Sequence, residues 1–379
     1  MAIQDKVEEH YGNLFGKDFI SVFSPGRINI IGEHTDYNEG FVFPAAIDKG
    51  IYVAMGKSGS NKSTVHALDM GESLDFSASN LYTFEVGSWK NYIIGVVSEI
   101  EKKGKSVSGF NAVFSGDIPN GSGLSSSAAL ENGFVFGLNE LFGLQLTKEE
   151  MIHISQMAEH NYVGVKCGIM DQYASMFGQK GKALLLDCRS ISSIPFLIDL
   201  KDYELLLINT NVKHTLSDSA YNNRRQVCEE VASMLHVRAL RDASENDLSS
   251  LKEKISEEDF QKALYVVQEI DRAQKASEAL KNDDLEVLGQ LLFETHEGLK
   301  RQYQVSCDEL DFLVDKAKNN DGVIGARMMG GGFGGCTINI VHKDSKNIFK
   351  MEIAKDYKNK FGVECSFYDV SLEDGTHLL

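Results

Sequence analysis

Residues 119–131, PNGSGLSSSAALE, constrain this chain more tightly than any other stretch. Small, flexible residues precede three consecutive serines and then a run of good helix formers. That is the composition of a loop feeding a helix N-terminus, whose unpaired backbone N–H groups can face an anion. Gly121 and Gly123 lack a Cβ and tolerate positive φ, so the backbone there can approach a ligand closely. The hydroxyls of Ser125, Ser126 and Ser127 add donors, and any one of them could ligate a hard cation through oxygen. Taken alone, the segment also fits a serine-capped helix after a glycine turn. The rest of the chain decides between the two.

At 379 residues the chain exceeds what one hydrophobic core usually serves, which argues for two domains. Its 55 acidic and 38 basic side chains leave a net charge of −17. A field of that sign repels phosphate backbones and anionic lipid, so neither nucleic acid nor a membrane is expected as a partner. A nucleotide is not excluded, since it needs only a local positive or dipolar pocket. The opening MAIQDKVEEH carries acids where a secretory leader needs a basic then apolar stretch, and no apolar run reaches bilayer length. Six scattered cysteines without a C-x-x-C pair suit neither a disulfide framework nor a cysteine zinc site. Reduced thiols in the cytoplasm are the expectation. No feature calls for an obligate protein partner, and a monomer is expected.

Strand-like and helix-like segments alternate through the first half. FISVF (19–23) runs into a turn expected at Pro25-Gly26. IYVAMGKS (51–58), STVHALD (63–69) and GFNAVFSG (109–116) read as strands, the last leading into the glycine/serine segment. WKNYIIGVVSEIEKK (89–103) carries apolar residues at helical spacing. Thr147-x-x-Glu150 is a capping box that opens a helix towards His160. KALLLD (182–187) and YELLLINT (203–210) are short apolar runs typical of buried strands. From about 215 to 318 the pattern is mostly helical, with a second capping box expected at Ser306-x-x-Glu309. Strands return at VIGARMM (323–329) and CTINIVH (336–342), then a helix to about 361 and a strand near Cys365–Val370. The pattern is α+β, in two mixed halves meeting near residues 180–200.

Two glycine-rich stretches imitate nucleotide motifs. In GIYVAMGKS, five residues separate Gly50 and Gly56 where a Walker A loop needs four, and the segment alternates as a strand. GGGFGG (330–335) contains G-x-G-x-x-G, but a strand follows it at once where a dinucleotide fingerprint must open a helix. Three other clusters offer chemistry. SPGRINIIGEHTDYNEG (24–40) places Glu33, His34 and Asp36, with Arg27 before them, between apolar segments; they offer acceptors and donors suited to a polyol, though taken alone they also fit a solvated polar turn. AEHNYVGVKCGIMDQYASMFG (158–178) sets Asp171 in a largely apolar stretch, where an unpaired carboxylate is costly. Glu159, His160 and His153 lack H-E-x-x-H spacing, so zinc is not expected; Glu159 as an oxygen ligand for Mg²⁺ fits better. SDSAYNNRRQ (217–226) joins Tyr221 to Arg224 and Arg225 at a helix start, at least one of the arginines being expected in a solvated basic patch. Trp89, the single tryptophan, suits core packing or an aromatic wall.

In this order the motifs resemble the galactokinases of the GHMP small-molecule kinase superfamily. GRINIIGEHTDYN (26–38) is similar to the galactokinase signature, PNGSGLSSSAALE to the superfamily's phosphate-binding loop, and MGGGFGGCT (329–337) to its third motif. GIMDQ (168–172) and AYNNRR (220–225) also match. Ser122 departs from the family's more frequent Ala or Gly. The resemblance implies ATP-dependent phosphorylation of the C1 hydroxyl of α-D-galactose, on a GHMP two-domain fold. An N-terminal domain similar to ribosomal protein S5 domain 2 (1–190) and a ferredoxin-like C-terminal domain (191–379) would flank the site. It further implies Asp171 as base and Arg27 as stabiliser of the transferred group. Glu33, His34, Thr35, Asp36, Gly168, Asp171 and Tyr221 would contact the sugar. Gly121, Ser122, Gly123, Leu124, Ser125, Ser126, Ser127 and Trp89 would hold ATP, with Ser127 and Glu159 on Mg²⁺. A sister kinase acting on N-acetylgalactosamine or arabinose carries nearly the same motifs. A non-catalytic galactose sensor is expected to be damaged in the phosphate loop, whereas Ser127-Ala128 is intact here.

Overall fold

The computed structural model describes residues 1–78, 80–119, 121–213 and 217–379; Asn120 of the glycine/serine loop lies outside them. In chain order the first half runs α1 (Ile3–Phe15), β1 (Ile20–Asn29), β2 (Phe41–Val42), β3 (Pro44–Lys57), β4 (Lys62–Ala67) and β5 (Glu72–Ser77). It continues through α2 (Lys90–Lys102), β6 (Phe110–Gly116), α3 (Ser126–Phe142), α4 (Lys148–Ala158), α5 (Met170–Phe177), β7 (Lys182–Asp187) and β8 (Ser192–Leu197). The second half is β9 (Tyr203–Lys213), α6 (Ser217–Met234), α7 (Glu245–Ser249), α8 (Glu257–Lys281), α9 (Leu285–Arg301) and α10 (Asp308–Lys318). Then come β10 (Val323–Met328), β11 (Gly334–His342), α11 (Lys346–Phe361), β12 (Ser366–Asp369) and β13 (His377–Leu378).

The strands form three sheets, in the orders β13-β1-β3-β6-β4-β5, β10-β11-β9-β12 and β2-β7-β8. Among the described residues only β4 and β6 pair in parallel. Alternation along β9 explains its continuous apolar run. Leu205 and Leu207 face a core shared with the first half, while Leu206 and Ile208 face a second core closed by Val314, Phe349 and Tyr357. The shared core also takes Ile28 and Phe134 from the first half and Leu292 and Ile338 from the second, so the halves are packed on each other. The segment from Ser371 returns to the first sheet. Glu373 N donates to Ala46 O (3.0 Å), Thr376 N to Ser175 O (2.8 Å), and β13 pairs with Val22 and Phe23 of β1.

Two local expectations are corrected. No turn forms at Pro25-Gly26; β1 runs on to Asn29 with a bulge between Pro25 and Arg27. Its β13 neighbour reaches only Val22 and Phe23, so on that side the proline has no ladder donor to supply. The box at Ser306 also fails. The chain enters α10 one residue later, with Cys307 as N-cap, and the Ser306 hydroxyl donates to Asp311 (2.6 Å). The box at Thr147 and Glu150 forms as expected.

Helix α9 lies directly on β10 because two glycines face each other, Gly289 and Gly325. A Cβ on Gly289 would fall 2.0 Å from the Ile324 carbonyl oxygen. Gly289→Ala is therefore expected to destabilise the fold by about 2 kcal/mol, as overpacking against a fixed backbone does. Denaturant unfolding checks this; an unchanged midpoint would refute the contact.

Candidate active site

The chain leaving β1 reverses at Gly32, whose φ of 96° favours glycine and where a Cβ would lie 2.6 Å from the Phe41 carbonyl oxygen. Thr35 Oγ1 reaches the carbonyl oxygens of Gly32 (2.9 Å) and Phe41 (2.7 Å), closing the loop on itself. Buried Glu269 of α8 accepts from Gly32 N–H (2.8 Å), Thr295 and Arg272. Buried Arg327 of β10 donates to Ile30 O (2.8 Å) and Asn29 O and pairs with Glu33 Oε2 (2.8 Å). Thus both faces of the loop are pinned by the second half of the chain.

Inside this loop lies a polar pocket of about 120 Å³ walled by Arg27, Glu33, His34, Asp36, Asp171 and Tyr221, with Gly330 and Gly331 at one side. Arg27 forks onto Asp171 through Nε (2.8 Å) and Nη2 (2.9 Å) and donates from Nη1 to Gly123 O (2.5 Å). Burial alone would lower the Arg27 guanidinium, but Asp171's charge and hydrogen bonds hold it above its ordinary value. Asp36 is pushed up to about 7, chiefly by burial and then by Asp171. Burial, then Arg224, pushes His34 down to about 3. Only glycine fits at 168, since a Cβ there would lie 2.0 Å from Asp36 Oδ2.

Beside the pocket, the glycine/serine loop does enter a helix. Gly121 and Gly123 have φ of 68° and 74°, and Ser125, at φ 60°, precedes α3. The Ser125 hydroxyl donates to Asp171 Oδ2 in a short contact, so it is turned towards the Arg27–Asp171 pair. Ser127 hydrogen-bonds to Glu159, which also accepts from Gln172 Nε2 (2.9 Å). Burial and then Asp171 push Glu159 up to about 7. Ser122 Oγ is buried without a protein partner. A cleft of about 860 Å³ opens from here, lined by Trp89, Tyr92, Gly121, Ser126, Asn209 and Asn211. The positive-φ glycines, the helix start, the orphaned hydroxyl and the cleft suit a triphosphate with its nucleoside. The Ser127–Glu159 pair offers oxygen ligands suited to Mg²⁺.

The structure thus brings together Arg27, Glu33, His34, Asp36, Gly168, Asp171 and Tyr221, and next to them Gly121–Ser127 and Glu159. Thr35 stands apart: its hydroxyl is spent inside the loop and it does not wall the pocket. Leu124 is buried, and contributes backbone: Leu124 O accepts from Arg27 N–H (3.0 Å). Trp89 packs edge-on to Phe114 and also lines the cleft. Arg224 is buried and binds the carbonyls of Tyr303 and Gln304, whereas Arg225 stays partly exposed, pairing with Glu229 (2.8 Å) and donating to Lys166 O. Glu269 and Arg327 escaped the sequence reading; their only signal was a charge within an apolar helix face and within the VIGARMM strand. Among the described residues no three His, Cys, Asp or Glu side chains form a metal cluster.

A helix start opening on a nucleotide-sized cleft, with an Arg–Asp pair between it and a polyol pocket, defines a small-molecule kinase of the GHMP class. Family models agree: GHMP kinases N terminal domain matches residues 91–179, and GHMP kinases C terminal matches 276–359. The galactokinase galactose-binding signature matches residues 8–57. The chain belongs to the galactokinase family. It is 42% identical to the galactokinase of Thermotoga neapolitana over 354 residues, 93% of this chain and 98% of that one. With the galactokinase of Clostridium beijerinckii the identity is 41% over 379 residues, 98% and 97% of the two chains. The crystal structure of Lactococcus lactis galactokinase complexed with galactose superposes with a TM-score of 0.96 at 33% identity, covering 100% of both chains. A crystal structure of mevalonate kinase, 20% identical, shares the fold alone, with a TM-score of 0.64 over 94% and 99% of the chains. The expected α+β, two-domain GHMP kinase fold is therefore the one observed. Among the described residues no helix is long and apolar enough to cross a membrane.

Asp36 gives a pH prediction. Its folded pKa is raised from 3.8 to about 7, so below about pH 4 it carries no penalty. Stability is lost as pH rises from about 4 to 7, because the unfolded chain ionises first. Asp36→Asn is expected to melt higher than wild type at pH 8 and at the same temperature at pH 4. Melting curves at the two values check this; an equal shift at both would refute it.

Proposed function

We propose that this kinase transfers the γ-phosphoryl group of its substrate ATP to the C1 hydroxyl of α-D-galactose, giving galactose 1-phosphate and ADP. The observation that carries this reading is the Arg27–Asp171 fork, set between the polyol pocket and the phosphate loop. A sugar hydroxyl is a poor nucleophile at neutral pH, and Asp171 is placed to take its proton as the oxygen bonds to phosphorus and the β–γ bridging P–O bond breaks. The larger demand is in-line placement and charge compensation. Arg27 faces the attacking oxygen and the transferred group, and the start of α3 faces the phosphates. Glu33, His34, Asp36, Gly168 and Tyr221 contact the sugar; Thr35 only braces their loop. Residues 121–127 and Trp89 hold the nucleotide. Ser127 and Glu159 would hold Mg²⁺, which when bound supplies positive charge at the phosphates. The division into 1–190 and 191–379 puts the sugar and phosphate loops in the first part, with the segment from Ser371 returning to it. All six cysteines are unpaired, which suits a cytoplasmic enzyme.

A panel of galactose, N-acetylgalactosamine and arabinose with Mg²⁺-ATP, followed by ADP and sugar-phosphate release, tests the substrate; galactose is expected to give the highest kcat/KM. Asp171→Asn should retain galactose binding and lose about 10³-fold or more in kcat. Retention of most turnover would remove the assignment. Arg27→Lys keeps the charge but not the planar fork, and a loss of about 10²-fold in kcat is expected. Near-normal kinetics would take Arg27 out of the catalytic set.

A further inference from the structure

Behind the pocket runs a row of hydrogen-bonding side chains that the proposed chemistry does not use. His34 Nδ1 lies 2.8 Å from the Tyr37 hydroxyl, that hydroxyl 2.7 Å from the Tyr303 hydroxyl, and the latter 3.5 Å from Cys228 Sγ. Tyr37 belongs to the loop after β1, whereas Cys228 sits on α6 and Tyr303 just beyond α9, so the row joins both halves of the chain. Tyr303 is fully buried, and its main-chain carbonyl accepts from Arg224 Nε (2.8 Å). The His34 ring is held between Tyr221 and Tyr303, with centroids at 5.4 and 4.9 Å. His34 lines the pocket, and its Nε2 is buried near the Gly331 backbone with no hydrogen-bond partner.

Each hydroxyl in the row has one proton, so the row must point one way. Phenol is a much stronger acid than a neutral imidazole N–H, and an imidazole nitrogen is a better acceptor than sulfur. Tyr37 therefore donates to His34 Nδ1, Tyr303 donates to Tyr37, and the Cys228 thiol donates to Tyr303. With Nδ1 used as an acceptor, the single N–H of a neutral ring is on Nε2. We propose that Tyr37 and Tyr303 are positioning residues that lock His34 in the Nε2–H tautomer and so make it the hydrogen-bond donor to one sugar hydroxyl oxygen. This rests on the sugar-pocket reading above.

The pocket needs such a donor. Glu33, Asp36 and Asp171 supply carboxyl oxygens to the walls, while the Arg27 guanidinium is already committed to Asp171 and Gly123, which leaves His34 and the Tyr221 hydroxyl as the side chains able to donate. A sugar hydroxyl that donates to a carboxylate still has lone pairs to satisfy when it is buried. The opposite tautomer would make Nε2 an acceptor in a pocket already walled by Glu33, Asp36 and Asp171. Burial and the nearby Arg224 keep the ring neutral, so the donor persists across the neutral range.

The test uses the full chain labelled with ring-¹⁵N histidine, with and without galactose, the His34 signals being assigned by their loss in His34→Gln. A protonated-type Nε2 and an unprotonated Nδ1 are expected; the reverse pattern overturns the proposal. In steady-state kinetics Tyr37→Phe should raise the galactose KM about tenfold and leave kcat within about threefold, with Tyr303→Phe smaller in the same direction. Among single-deoxy galactoses, one that wild type discriminates against should be discriminated against much less by Tyr37→Phe. Unchanged discrimination for every deoxy sugar overturns the proposal. A wild-type enzyme that does not phosphorylate galactose would instead defeat the sugar reading, and the ring-nitrogen pattern would still decide the tautomer.

Discussion

The guanidinium of Arg327 reaches from β10 to the main-chain carbonyls of Asn29 and Ile30 and to the Glu33 carboxylate, with no part of it exposed. Burying both ions costs several kcal/mol each, which only near-complete pairing offsets. Here the pairing is dense. Besides Arg327, Glu33 accepts from Gly330 N–H (2.9 Å) and Asn29 Nδ2 (2.9 Å). One charge pair thereby fixes the end of β1, the glycine loop after β10 and the first polar residue of the sugar loop. The positions of His34 and Asp36 follow from it. Replacing Arg327 would leave Glu33 charged and stranded, so the pair is better understood as a registration device than as a source of stability.

A second ring of charges surrounds the same loop from outside. Arg189 bridges Glu39 (2.6 Å) and Asp242 (2.7 Å), Arg238 adds a bond to Glu39 (2.7 Å), and Arg241 pairs with Asp187 while lying over the Phe41 ring at 4.4 Å. These groups are partly exposed, so each is worth little and is screened by salt. Inner and outer contacts thus differ in kind: the first sets geometry in a dry interior, the second trims the loop's mobility at the rim.

Much of this was legible in the sequence. Apolar periodicity placed β9, α2 and the helical block after it, and the polar clusters around residues 33, 125 and 171 did converge. What failed shares one cause. Whether Pro25-Gly26 turns depends on which side of β1 is left open, and whether Ser306 caps a helix depends on where its hydrogen bond to Asp311 holds the side chain. Arg327 and Glu269 were visible as charges in apolar surroundings, but their partners lie far off in sequence, at Glu33 and Gly32. Thr35 looked like its neighbours; only the three-dimensional loop shows its hydroxyl already used. Residue type announced the chemistry, and tertiary contact decided which atoms were free to perform it.

The pairing of β13 with β1 has a bearing on how the chain comes to be folded. Arg27 sits on β1, yet that strand's outer edge is covered by residues 377–378, and Ser24 finds its hydroxyl partner in Thr376 (2.9 Å). The sheet that carries Arg27 is therefore finished only after residue 378 has left the ribosome. Until then β1 offers open N–H and C=O groups to any other extended chain. Closing so distant a contact is slow as well as late, which leaves a long interval of exposure during synthesis. Truncation before residue 371 would make that interval permanent, and self-association through β1, rather than loss of any catalytic group, would be its first consequence.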